Sequence, residues 1–249
     1  EQSPDGFIGA ADAADGHDLW RLRLADELET SPPPAKDDVY GIYQLPGCFC
    51  LRALPDGDLL ALGLHAWGDW RKSAGMRRWS RIYRLAPDGR PKWAFPETGP
   101  LAMTMTQFGA PTGGETVAAL VSAKASNTPE DCPYRSGTLV VLDGVTGRLR
   151  AEHFFEPLRP YYDRVSFWQS LAVSPDGRRA AVGLEDGRTF FFSLPDLKVL
   201  RTRADGAPLL ISGLPVGAAA HYPNLAADGR AYLQTGSSSL PQAGTMLGA

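Results

Sequence analysis

Cysteine is scarce in this chain: three in 249 residues, at 48, 50 and 132. That is too few for a disulfide-stapled scaffold, and the odd number leaves at least one thiol without a partner inside the chain. Histidine is no richer. His17, His65, His153 and His221 are scattered, and neither a His-x-His nor a Cys-x-x-Cys spacing occurs, so no metal signature is written locally. No Asp/Asn cluster announces a calcium loop, and no Gly-x-Ser-x-Gly elbow announces a serine hydrolase. Neither sign of charge dominates. A net charge of −3 gives no general attraction to nucleic acid or to a membrane surface, and no apolar run approaches a membrane span. The chain starts at Glu1 without Met or a signal-peptide pattern, as expected of a processed or trimmed product.

What the chain does have is a recurring turn. It reads Leu54-Pro55-Asp56-Gly57, Ala86-Pro87-Asp88-Gly89, Ser174-Pro175-Asp176-Gly177 and Ala227-Asp228-Gly229, with a variant at Val145-Thr146-Gly147. Pro presets one central dihedral, Asp bonds to the nearby backbone, and Gly takes the positive φ that ends the turn. Each copy lies between apolar, strand-like runs, which predicts hairpins repeated along nearly the whole chain.

The clearest unit covers residues 166–203. It has strands at 166–174, 178–184, 189–194 and 198–203, the size and pattern of one four-stranded propeller blade. With its strands lettered a to d, two more segments fit. One has a at 48–54, b at 58–64, c at 80–85 and d at 91–95. The other has a at 101–108, b at 116–123, c at 137–142 and d at 148–155. The ends are half blades: c and d at 7–14 and 18–24, a and b at 221–226 and 230–235. The expectation is one all-β propeller domain over 1–249, of about four recognisable blades. The N-terminal c–d and C-terminal a–b hairpins close it. Residues 204–220 have room for further strands, and 237–249 read as an irregular tail.

Asp15-Gly16-His17-Asp18-Leu19-Trp20 and Asp88-Gly89-Arg90-Pro91-Lys92-Trp93 both place Trp four residues after the turn Gly, and Asp143-Gly144-Val145-Thr146-Gly147 has the form Asp-x-x-Thr-Gly. These resemble the repeats of PQQ-like (quinoprotein-like) β-propellers, with WD40-like character at 166–203. The pattern departs at Ala151, where Trp would follow, and at Pro195-Asp196-Leu197. The resemblance implies a quinoprotein-type dehydrogenase as one reading. Such enzymes carry adjacent cysteines and a Ca²⁺ site, and this chain has no adjacent cysteines; no cofactor is expected.

In such a fold the short a–b and c–d turns share one side and the long b–c and d–a links share the other, where binding residues concentrate. The link 65–79 holds Trp67, Trp70 and Trp79 with Arg71, Lys72, Arg77 and Arg78. The link 155–167 holds Arg159, Tyr161, Tyr162, Asp163 and Arg164, and the link 125–136 holds Cys132, Tyr134 and Arg135. Trp, Tyr and Arg are the types enriched in interface hot spots. Loops of this kind also bury their own aromatics. The link 25–46, with Pro32-Pro33-Pro34, reads as a solvated loop stiffened toward polyproline II geometry, with an arm reaching to a neighbour as the alternative.

The functional expectation is a non-catalytic scaffold or accessory subunit that binds another protein, as part of a complex, through the long links. The alternatives are a quinoprotein-like dehydrogenase, a metal-dependent hydrolase with His221 as its best-placed ligand, and a small-ligand sensor using a central channel. Confinement of positive charge to one link disfavours nucleic acid. Cys48 and Cys50 stand at alternate strand positions and read as small core residues. A Cys48–Cys132 disulfide is the candidate bond, because strand a of one blade starts on the same side as the b–c link of the next. It would argue for an oxidising, extracytoplasmic compartment, periplasmic or secreted.

Overall fold

The recurring turn is one hydrogen-bonded unit. In the computed structural model, which describes residues 6–28, 41–69, 76–159, 161–162, 165, 167, 170–204, 209–211 and 214–238, the N–H groups of Gly57, Gly89, Gly177 and Gly229 donate to the carbonyls of Leu54, Ala86, Ser174 and Ala226 at 2.9–3.0 Å. Those glycines have φ of +68 to +86°. The Asp56, Asp88, Asp176 and Asp228 Oδ1 atoms accept from the N–H two residues on at 3.0–3.2 Å. This is a type I turn closed by a left-handed residue, a form that joins twisted antiparallel strands.

The strands are β1 (Phe7–Ala11), β2 (Asp18–Arg23), β3 (Gly41–Ala53), β4 (Leu59–Asp69), β5 (Arg77–Leu85), β6 (Pro91–Phe95), β7 (Met103–Gly109), β8 (Thr116–Lys124), β9 (Thr138–Asp143), β10 (Leu149–Phe154), β11 (Leu171–Val173), β12 (Arg179–Gly183), β13 (Arg188–Ser193), β14 (Lys198–Ala204), β15 (Leu209–Ile211), β16 (Leu214–Leu225) and β17 (Ala231–Ser238), with one helical turn, α1 (Leu24–Glu27). Strands β3–β6, β7–β10 and β11–β14 each form a four-stranded sheet in sequence order; β1–β2 form a hairpin and β15–β17 a three-stranded sheet. The chain is all-β, and its repeating unit is the propeller blade that the turn spacing predicts.

Two compact units are present, Glu1–Met105 with Lys124–Asp131 and Thr106–Ala123 with Cys132–Ala249. In the first, α1 and β1 lay Ile8, Leu24 and Leu28 against Ala61, Tyr83 and Leu85, and Trp20 packs at its edge. The Trp20 indole Nε1–H donates to the Pro87 carbonyl at 2.8 Å, so the second strand of the terminal hairpin is pinned on the β5–β6 turn. In the second, β9, β10, β12 and β13 bury Leu139, Val141, Phe155, Val182 and Phe192 together.

Three boundaries differ from expectation. First, strand a of the first blade begins at Gly41, not Cys48. It passes through Pro46 by a register shift between Gln44 and Gly47, since a residue without N–H fits a ladder only at a bulge or an edge. Second, most of the link 65–79 is strand, with His65 opposite Trp79, Ala66 opposite Arg78 and Trp67 opposite Arg77. Third, strand a of the last blade begins at Leu214, not His221, and the stretch 204–220, which had room for further strands, also holds β15.

A second register shift, between Cys48 and Cys50, breaks the alternation that would have buried both thiols. Cys48 is exposed, Cys50 is half-buried, and neither they nor Cys132 is in a disulfide. Cys48 and Cys132 belong to different compact units, so the expected bond between them, and the compartment inferred from it, are matters for thiol titration.

Candidate functional site

The expected anchors separate into core, framework and surface. In the first unit Trp79 is 2% exposed. It stacks on the fully buried His65 at 5.1 Å between ring centroids, with the Arg77 guanidinium 5.0 Å from its ring. It is a packing residue and not a surface anchor, because the extension of β4 and β5 turns it inward. Trp67 lies on β4, and Arg77 and Arg78 on β5; Trp70 and Arg71 lie outside the described residues.

The first half of the 125–136 link is framework too. β6 covers the outer edge of β5 only from Ile82 to Leu85. Beyond it, Ser80 exchanges backbone hydrogen bonds with Leu101 at 2.8–2.9 Å. Next along the edge, the Asn127 side-chain amide accepts from the Arg78 N–H at 2.9 Å and donates to the Arg78 carbonyl at 3.0 Å. Ser126 then donates to the Met76 carbonyl through its backbone N–H at 2.7 Å and its hydroxyl at 2.9 Å. An edge that would otherwise template aggregation is thus sealed, partly by side chains. The sequence signal for this is the Ser-Asn-Thr run at 126–128, whose short polar side chains mimic backbone groups.

In the second unit Tyr134 is buried, and burial pushes its phenol up to about 12, with Glu152 and Cys132 adding to the shift. It leaves the list of surface anchors. Arg135 beside it is exposed. Its guanidinium lies 3.4 Å from the Phe154 ring centroid and 4.0 Å from a Glu156 oxygen. Arg159 is exposed and Tyr161 and Tyr162 are half-buried, in a turn whose Tyr161 and Tyr162 N–H groups both donate to the Leu158 carbonyl at 3.1 and 3.0 Å. Arg164 lies outside the described residues.

The turn side is built from ion pairs that belong to the fold. Asp58, 1% exposed, takes Arg84 Nε at 2.6 Å and Lys92 Nζ at 2.6 and 2.7 Å, while Arg84 also reaches Asp56 at 2.7 Å. Strands b, c and d of the first blade are tied by this cluster. On the link side of the second unit, Arg188 holds Asp186 at 2.6 Å and the Glu156 carbonyl at 2.7 Å, which ties the β12–β13 link to the β10–β11 link. Among the described residues no group of three or more His, Cys, Asp or Glu is arranged to hold a metal ion, and no helix is long and apolar enough to cross a membrane.

One feature escaped the sequence reading. A cleft of about 660 Å³ opens in the second unit between the β11–β14 blade and strands β16 and β17, lined by Arg179, Phe191, Arg201, Arg203, Leu225 and Leu233 among others. The signal for it was the alternation in Lys198-Val199-Leu200-Arg201-Thr202-Arg203, which places two cations on one side of an outer strand.

No family model matches the chain, and no curated protein matches it in sequence. Solved structures resemble it in fold. The β-propeller domain of Cps50 (Swd1) from Myceliophteria thermophila is 10% identical with a TM-score of 0.47, over 88% of this chain and 58% of that one. The WD40 repeats of RRP9 are 12% identical with a TM-score of 0.48, over 85% and 54%. Quinohemoprotein alcohol dehydrogenase from Comamonas testosteroni is 15% identical with a TM-score of 0.49, over 86% and 35%. The chain thus spans 58%, 54% and 35% of the lengths of these structures. At TM-scores below 0.5 the likenesses carry no argument of their own, and the propeller assignment rests on the ladders and turns described above.

Proposed function

We propose that this chain is a non-catalytic propeller subunit that binds another protein through the links between its strands b and c and between its blades. The observation that carries the reading is the β8–β9 and β10–β11 link residues of the second unit. There the Arg135 guanidinium lies over the Phe154 ring, and the backbone of Tyr161 and Tyr162 is held by a hydrogen-bonded turn. Arg and Tyr oriented before a partner arrives lose little freedom on binding, which is what makes these types effective anchors. Arg159, Arg164, Trp67, Trp70, Arg71, Arg77 and Arg78 belong to the same proposal. The turn at 143–147 resembles the PQQ-like repeat and the blade at 166–203 the WD40-like one, which supports a propeller subunit of one of those two kinds. The single-domain reading of 1–249 rests on one turn grammar running through both compact units; calorimetry should then give one cooperative transition, and two separated transitions would refute it.

The test of function is capture from native extract with paired variants whose melting is unchanged. Arg135→Glu with Tyr161→Ala should lose the captured protein. Asp88→Ala with Asp176→Ala, on the short turns, should keep it. Loss only in the second pair would mean that the wrong side has been chosen, and loss in neither would overturn the link-side reading.

A further inference from the structure

The turns that build this fold carry a dipeptide prone to rearrange. Asp-Gly occurs nine times in the sequence. In that dipeptide the glycine nitrogen, unhindered by a side chain, can attack the aspartate Cγ. The N–Cγ bond forms, and the nitrogen's proton and one carboxyl OH leave as water. The cyclic imide that results takes up water again. Opening at the backbone carbonyl gives isoaspartate, whose main chain runs through the side chain and whose α-carboxylate is free; opening at Cγ returns aspartate. The attack needs a protonated carboxyl, so that water can leave, and a nitrogen aligned within about 3–3.5 Å of Cγ.

Seven of the nine pairs lie among the described residues, at 15–16, 56–57, 88–89, 143–144, 176–177, 186–187 and 228–229, and the fold treats them alike. The N–H groups of Gly16, Gly57, Gly89, Gly144, Gly177, Gly187 and Gly229 all donate to backbone carbonyls at 2.8–3.1 Å. Each carboxylate is tied as well. Its Oδ1 accepts from the N–H two residues on at 2.9–3.2 Å, one position past the nitrogen that would attack. A side chain adds a second contact at every pair. Arg90 Nε on Asp88 at 2.7 Å and the Ser174 hydroxyl on Asp176 at 2.6 Å are examples. That hydroxyl, with the Arg178 N–H, holds the Asp176 carboxyl below its usual range, away from the protonated form that reacts. Asp15, Asp56, Asp88, Asp176 and Asp228 are exposed, so burial does not shield them.

We propose that the Asp-Gly turns are latent isoaspartate sites, closed by the hydrogen bonds of the native turn and opened when the turn unfolds. Those bonds commit the glycine N–H and the carboxylate to different partners, and both commitments must break before the ring can form. The ties differ in strength. Arg188 and Asp186 have side chains 16% and 5% exposed, whereas those of Arg90 and Asp88 are 83% and 53% exposed, where solvent weakens the pair. Asp88-Gly89 therefore reacts before Asp186-Gly187 in the folded chain. The product does not fit the fold. Isoaspartate lengthens the main chain by one carbon inside the turn, which displaces its i→i+3 hydrogen bond and the register of the strand pair it joins. The chemical lifetime of the chain thus follows the lifetime of its folded turns. None of the link-side anchors takes part, so this holds whether or not they bind a partner.

The test is peptide mapping of the full chain after prolonged incubation, with isoaspartate located by mass spectrometry. One sample is native and one is held unfolded in guanidinium chloride. The short peptide Ser-Pro-Asp-Gly-Arg is carried through both buffers to correct for the salt. Isoaspartate at the seven pairs should form at least about tenfold more slowly in the native sample, the weight of two hydrogen bonds. Arg90→Ala, at an exposed side chain, should melt as wild type and raise the native rate about twofold at 88–89 alone. Ser174→Ala should raise it about fivefold at 176–177 and leave 88–89 unchanged. Equal corrected rates in the native and unfolded samples would overturn the proposal. So would native reaction at 186–187 ahead of 88–89, a rise at every pair alike in Arg90→Ala, or no rise in either variant.

Discussion

Gly16→Ala and Gly89→Ala should differ in cost by about 2 kcal/mol, although both replace a turn glycine of nearly the same conformation. Their φ values are +76° and +83°, and forcing alanine into that region costs about 1 kcal/mol at either site. Around Gly16 a new Cβ meets nothing within 4 Å. At Gly89 it would lie 2.5 Å from Trp20 Cδ2 and 2.6 Å from Cε3, closer than any carbon contact allows. The ring cannot stay. Moving it breaks the Nε1–H bond to the Pro87 carbonyl, about 1 kcal/mol, and disturbs packing at about 1 kcal/mol or more. Gly89→Ala should therefore lose about 3 kcal/mol in urea unfolding followed by circular dichroism, with an unchanged m-value, and Gly16→Ala about 1. In a Trp20→Ala background Gly89→Ala should fall back to about 1 kcal/mol, leaving a coupling near 2 kcal/mol. Equal losses for the two glycines, or no coupling to Trp20, would refute the packing of the first hairpin on the β5–β6 turn.

Asp58→Ala should cost about 3–5 kcal/mol, because it removes the buried carboxylate that holds both Arg84 and Lys92; Lys92→Ala, at a side chain 48% exposed, should cost under about 1 kcal/mol in the same melts. The Thr146 N–H, with Arg150 and the Val145 N–H, holds the Asp143 carboxyl down at about 2, below its ordinary 3.8. Its contribution to stability is therefore complete above pH 3.8 and is lost as pH falls toward 2, so Asp143→Asn should flatten that part of an acid-unfolding curve. Thiol titration of the unreduced, denatured protein should find three thiols; finding one would restore a disulfide.

The blade was legible because its determinants are local. Pro-Asp-Gly fixes a turn within four residues, and the apolar runs on either side set the strands, so β7 to β14 fall within a few residues of expectation. The link 65–79 was misread for the opposite reason. Its three Trp and four cations look like a surface, and only the partner strand decides otherwise. Trp79 is buried because His65 stands opposite it, and that pairing is a tertiary choice no spacing rule contains. The Cys48–Cys50 register shift is of the same kind, for a one-residue slip reverses which side every later residue faces. Arg135 was chosen for its type and is exposed as expected, whereas Tyr134 one residue earlier is core.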